Sequence, residues 1–191
     1  FLDKLVTENI YSGRVTARYH TNGTVKPSDR VLEVWDQLGS VEVAFSIDGV
    51  DKMNDYIRPP SQWREIEHTL AWFKDLQMPN LSLHVHSCYS MINVLDIENM
   101  WLWVKDNGIR IWNKDIVRHP EHLSLANAPL QYKQKVKKFL TSIPVDTRLL
   151  EKACDRVQDP NHWAKFKKIN KTVDKYWHTS IKCVNTDLWS M

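Results

Sequence analysis

Three stretches of the chain alternate between apolar and polar residues, and that two-residue period constrains the fold more than any other feature. In RVTARYH (14–20), Thr16, Arg18 and His20 share one side with the following Asn22, opposite Val15, Ala17, Tyr19 and Thr21. In VEVAFSI (41–47), Glu42, Ala44 and Ser46 continue to Asp48 on one side, opposite Val41, Val43, Phe45 and Ile47. In LSLHVHSC (81–88), Ser82, His84, His86 and Cys88 oppose Leu81, Leu83 and Val85. Successive side chains of a strand point to opposite faces, so each stretch predicts a strand with one apolar and one polar face. A fourth strand is expected over IRIWNKDIV (109–117).

Helical periodicity fills the intervals. SDRVLEVWDQLG offers Ser28 as N-cap and Gly39 as a stop. PSQWREIEHTLAWFKDLQ (60–77) repeats Trp63, Ile66, Leu70 and Phe73 at helical spacing, and DIENMWLWVKDNG (96–108) ends on Asn107-Gly108. An opening helix is expected in FLDKLVTEN, with Phe1, Leu2, Leu5 and Val6 on one side. Alternating strands and helices predict parallel βαβ units. A doubly wound sheet is covered on both faces and favours apolar residues on both. A polar face on consecutive strands instead fits an α/β fold of partial (β/α) TIM-type barrel kind, with helices outside and a polar interior lining a cavity. The expected cavity-lining residues are Arg18, His20, Glu42, His84, His86 and Cys88. Beyond residue 120 the strand signal fades. The chain is therefore divided into a barrel part over 1–120 and a mostly helical extension over 121–191, with VQDPN (157–161) as a breaker between two helices.

The histidines of HVHSC invite a metal reading. Same-face neighbours along a strand stand roughly 6 to 7 Å apart, which is wide for ligands of one ion, so no metal site is assigned to this chain. A net charge of +3 gives nucleic acid little support. The basic excess gathers in YKQKVKKF (132–139) and KFKKINK (165–171), read as solvated helix faces, with an anionic partner as the sharper alternative. The three cysteines, Cys88, Cys154 and Cys183, lie far apart, which argues against a disulfide framework and for a reducing compartment, expected to be the cytoplasm. No apolar run approaches membrane length.

Several segments resemble the radical S-adenosylmethionine (SAM) enzymes, in particular the group related to SPASM and twitch-domain proteins. YHTNGT (19–24) resembles the end of the third barrel strand, VAFSIDGV (43–50) the end of the fourth, and NDYIRPPSQW (54–63) the segment after it. HSCYSMIN (86–93) resembles the fifth strand end, and PEHLSLANAP (120–129) and FKKINKTVDKYWHTSI (166–181) are similar to later segments. The family's Cys-x3-Cys-x2-Cys loop, which holds a 4Fe-4S cluster, has no counterpart here, nor has the second strand end that handles the SAM amino group. The resemblance therefore implies the C-terminal part of such a protein.

It also implies that Ser46 and Asp48 face the ribose or methionine part of SAM, that Arg58 pairs with the SAM carboxylate, and that Asn22 and Asn93 stand near cofactor or substrate. Cys154 and Cys183 fall where relatives carry auxiliary-cluster cysteines, but two isolated thiols read as ordinary buried or surface groups. The implied function of the full-length protein is reductive cleavage of SAM to a 5′-deoxyadenosyl radical that modifies a peptide or small-molecule substrate, with a reductant serving the cluster. SAM and the 4Fe-4S cluster are its implied cofactors, and this chain alone is expected to hold neither fully and to be inactive. The alternative is a cluster-less, non-catalytic half-barrel that binds a nucleotide or a peptide.

Overall fold

The computed structural model describes residues 12–191 (backbone only for residues 12 and 112–114) together with Lys4, Thr7 and Glu8. The expected face of Phe1, Leu2, Leu5 and Val6 lies outside the described residues. The chain runs β1 (Thr16–Thr21), α1 (Asp29–Asp36), β2 (Ser40–Ser46), α2 (Lys52–Ile57), α3 (Trp63–Asp75), β3 (Leu81–Tyr89), α4 (Ile97–Asp106) and β4 (Arg110–Ile116). Beyond the sheet come α5 (Leu130–Leu140), α6 (Arg148–Cys154), α7 (Pro160–Trp177) and α8 (Thr186–Trp189). The four strands form one parallel sheet in the order β1-β2-β3-β4, as the alternation of strands and helices predicts.

The apolar faces fall where the two-residue period places them. Ala17, Val41, Val43, Phe45, Ile47 and Val85 form one core with Trp35 and Leu38, with Trp63, Ile66, Leu70 and Phe73 of α3, and with Met100 and Val104 of α4. Each such fully buried side chain is worth about 1.5–3 kcal/mol relative to exposure, so this face fixes the register of the strands. A one-residue slip would drive Glu42 and His84 under the helices.

Between β2 and α3 the sequence suggests only a break at Gly49 and a segment rich in Asn, Tyr, Arg and Pro, yet the structure has a short helix there, α2. Its turn is set from outside. Val50 N–H donates to Asp96 Oδ2 at 2.8 Å, and Asp55 Oδ1 accepts from Trp63 N–H at 2.5 Å, which fixes the first turn of α3. A Cβ on Gly49 would stand 2.2 Å from Met53 Cγ and 3.1 Å from Asp96 Oδ2, so only glycine lets the chain pass between them. Helix α3 therefore starts at Trp63, later than the periodicity from Pro60 suggests.

A second core lies beyond the C-terminal ends of the strands. Tyr132, Val136 and Leu140 of α5, Leu150 and Ala153 of α6, Phe166 of α7, Ile181 and Leu188 pack with Met53 and Tyr56 of α2 and with Tyr89, Met91 and Val94 at and after the end of β3. Residues on both sides of position 120 thus share it. Polar side chains stitch it together. Asn185 Nδ2 donates to Ile92 O at 2.7 Å and to Tyr132 Oη at 2.8 Å, and Tyr132 Oη donates to Met91 O at 2.8 Å. Lys133 is buried, its ammonium held by Ala126 O at 3.0 Å and Arg156 O at 2.6 Å, and burial pushes its pKa down.

No helix among the described residues is long and apolar enough to cross a membrane.

Candidate functional site

The polar faces of β1, β2 and β3 meet in register. Arg18 pairs with Glu42, His20 with Ala44, Ala44 with His84, and Ser46 with His86. Across that face Arg18 Nε donates to Glu42 Oε2 at 2.6 Å. The Arg18 side chain is 60% exposed, so the ion pair contributes little stability and serves mainly to order the face. The His20 and His86 rings meet edge to face at 5.4 Å, and His84 Nε2 lies 3.2 Å from Ser82 Oγ. The structure brings Arg18, His20, Glu42, His84 and His86 onto one surface, with Cys88 half-buried at its C-terminal end.

Between β3 and β4 the register shifts after Val85, so that His86 faces Asn113 and Cys88 faces Asp115. Such a bulge re-aims the side chains beyond it. Here it sets Asp115 beside the strand end that carries Cys88.

That end is densely bonded. Asp48, the residue after Ile47 at the close of β2, is buried, with its side chain 10% exposed. Its Oδ2 accepts from Arg58 Nε at 2.9 Å and Nη2 at 2.6 Å, and its Oδ1 accepts from Cys88 N–H at 2.8 Å. Of five guanidinium N–H donors, two point at Asp48. The Arg58 side chain is 31% exposed and reaches the surface beside its buried partner.

Asn93 is 1% exposed and fully engaged. Its Nδ2 donates to Asp48 O at 2.5 Å and Cys88 O at 3.0 Å, and its Oδ1 accepts from Ser90 N–H at 2.6 Å and Ser90 Oγ at 2.9 Å. Asn93 thus clamps the ends of β2 and β3 to each other. Ser87 Oγ adds a bond of 2.6 Å to Ile47 O.

The remaining two implied residues stand apart from this clamp. Ser46 is half-buried on the polar face, level with His86. Asn22 is exposed after β1, where its Oδ1 accepts from Thr24 N–H at 3.2 Å and Thr24 Oγ1 at 2.8 Å. This closes an Asx turn around Gly23, whose φ of +77° and approach to Phe45 favour glycine.

The thiols carry no metal-binding geometry. Burial, and then the charge of Asp48, pushes Cys88 up to about 11, and burial likewise pushes Cys154 up to about 11. No group of three or more His, Cys, Asp or Glu among the described residues could hold a metal ion. A 4Fe-4S cluster does not fit the residues described.

Asp96 is the contributor that the sequence conceals. It reads as the start of a helix, but its carboxylate accepts from Val50 N–H and from Asn99 Nδ2 at 2.8 Å, tying the loop after β2 to α4. Burial pushes its pKa up. No local spacing links positions 50 and 96.

No protein-family model matches the chain, and no curated protein matches it either.

Proposed function

We propose that β1–β4 are consecutive strands of a partial TIM-type (β/α) barrel, and that the chain is the C-terminal portion of a radical SAM enzyme acting on a peptide or small-molecule substrate. The observation that carries this reading is the polar face shared by three parallel strands, with Ser46 at its C-terminal side and Asp48, just beyond β2, holding Arg58 from the segment after α2. Ligands of parallel α/β folds bind at that side. In this reading residues 1–120 belong to the barrel and 121–191 form a helical extension beyond the strand ends.

Arg58 is the group suited to a SAM carboxylate. It retains N–H donors beyond the two that Asp48 accepts, and Asp48, itself bonded to the Cys88 N–H, holds it in place. Asp48 is then a positioning residue rather than a contact for the ribose. Ser46 supplies a hydroxyl on the same face for the ribose or the methionine part. Asn93 shapes the rim by clamping two strand ends, and Asn22 shapes it through its turn. The cluster would be held by thiolates outside the described residues, since no group of three or more His, Cys, Asp or Glu among them could hold a metal ion.

A second reading rests on the lack, among the described residues, of a group of His, Cys, Asp or Glu able to hold a metal ion: a non-catalytic half-barrel that binds a nucleotide or peptide on the same face. The coding sequence upstream separates the two, and calorimetric titration with SAM tests the role of Arg58. In a chain extended to include a Cys-x3-Cys-x2-Cys loop, Arg58→Gln should weaken SAM binding several-fold to about a hundredfold, as expected for loss of a charge-assisted hydrogen bond. Equal affinities would remove Arg58 from the site. If the coding sequence upstream contains no such loop, the catalytic reading fails and the binding reading stands.

A further inference from the structure

A different surface, independent of the strand ends, carries a cleft of its own. Helix α7 and the segment after it enclose a cleft of about 560 Å³. Phe166 and Asn170 of α7 lie toward the protein, and Ile181 and Leu188 form the base of the opposite wall. Trp189, 55% exposed, leaves apolar surface open at its mouth.

One edge of the cleft is cationic and regularly spaced. Lys167, Lys171 and Lys175 all line it and all are exposed. They recur every fourth residue, so they succeed one another at about 6 Å along the helix axis. The acid of the cleft, Asp174, is spent on the protein itself: Oδ1 accepts from Tyr56 Oη at 2.8 Å and Oδ2 from Ile181 N–H at 3.2 Å. The surface thus offers an apolar trough beside a row of three positive charges.

We infer that this cleft docks an acidic amphipathic helix of a partner protein. A helix with Glu or Asp at every fourth position repeats its charges at the same spacing of about 6 Å, and its apolar stripe would lie against Trp189 and the base of the trough. A single-stranded nucleic acid matches less well. It needs open aromatic faces for stacking, but Trp163 is stacked on Phe166 at 5.1 Å and 13°, with Lys167 Nζ 5.5 Å from its ring. Trp189 alone offers a largely open ring at the mouth of the cleft.

The test uses three labelled synthetic peptides of about 18 residues, followed by fluorescence anisotropy. The first carries Leu on one face and Glu at every fourth position on its flank. The second has Gln in place of Glu, and the third is a scramble of the first. The first should bind about tenfold tighter than either of the others, as three modest rim charges together allow, and its advantage over the Gln peptide should shrink between about 50 and 300 mM salt. The triple variant Lys167→Gln, Lys171→Gln, Lys175→Gln should lose the difference between the Glu and Gln peptides. These are exposed side chains, and an unchanged far-UV circular dichroism spectrum verifies that the variant is folded. Trp189→Ala should weaken both amphipathic peptides. Equal binding of the Glu and Gln peptides, a charge preference that survives in the triple variant, or tighter binding of a short polyuridine RNA through the same lysines would overturn the proposal.

Discussion

The phenol of Tyr56 donates to Asp174 Oδ1 at 2.8 Å, joining α2 to α7 across 118 positions of sequence. Its oxygen also accepts from Asn170 Nδ2 at 2.7 Å. Burial, together with the bond to Asp174, pushes the Tyr56 pKa up, so the proton stays on the phenol where this geometry needs it. Tyr56→Phe leaves Asp174 short of a donor and the buried Asn170 short of an acceptor. The expected loss is about 1–3 kcal/mol, read as a lower urea midpoint at unchanged slope.

Asp48 and Arg58 separate a structural from a binding role. Asp48→Ala removes the acceptor for Cys88 N–H and strands the guanidinium, so it should destabilise the fold by about 1–3 kcal/mol, discounted from a fully buried pair because Arg58 meets solvent. Arg58→Gln should cost at least as much in thermal stability, because it leaves the buried Asp48 carboxylate without its cation, whereas the guanidinium stranded by Asp48→Ala still reaches water. A clearly higher melting temperature for Arg58→Gln than for Asp48→Ala would show that the guanidinium does not hold the buried carboxylate.

Thiol titration distinguishes the cysteines. Cys183 is exposed, Cys88 half-buried and Cys154 buried, and the last two are pushed up to about 11. With an aromatic disulfide reagent at neutral pH, one thiol should react quickly in the native protein and all three after denaturation. Fast native labelling of Cys88, identified by peptide mapping, would contradict the environment described for it.

His122 links stability to pH. It is buried, its Nδ1 has no hydrogen-bond partner among the described residues, and burial, then Lys165 and His162, lower its pKa from the ordinary 6.5. Between the lowered folded value and 6.5 the unfolded chain binds the additional proton. Stability should therefore rise with pH through that window, and the contribution of His122 is lost as pH falls. His122→Gln should flatten this part of the urea-midpoint profile. A profile as steep as that of the wild type would assign the dependence to other groups.

Gly49→Ala should destabilise by about 1–3 kcal/mol, since its Cβ would fall 2.2 Å from Met53 Cγ. Combined with Met53→Ala, the losses should be less than additive, because the shorter side chain removes the nearer clash. Strict additivity in the double-mutant cycle would show that Met53 does not limit the turn.

Range along the chain decides how much of the fold is legible in the sequence. Strands 14–20 and 41–47 are found at Thr16–Thr21 and Ser40–Ser46, because alternation is a local signal tied directly to burial. Helices such as α3 announce themselves through Trp63, Ile66, Leu70 and Phe73. The short α2 does not, because it is set by Asp96 and Asp55 bonds to residues outside it. The candidate site divides in the same way. Alternation groups Arg18, His20, Glu42, His84 and His86 correctly on one face. It says nothing of whether a polar strand-end group faces outward or is consumed internally, and Asn93, bonded at both ends of its amide, is consumed.

The network around Asn185 bears on the order in which the protein matures during synthesis. Its amide reaches Ile92 O, 93 positions upstream, and also the Tyr132 hydroxyl that bonds Met91 O. A ribosome delivers residues one by one, so the sheet can assemble from local crossovers while the loop after β3 still lacks these partners. Only when residue 185 emerges does the rim of the strand ends acquire its final shape. A nascent chain stalled before that point would carry a finished sheet with an unfinished mouth, exposed to proteases at residues 89–97.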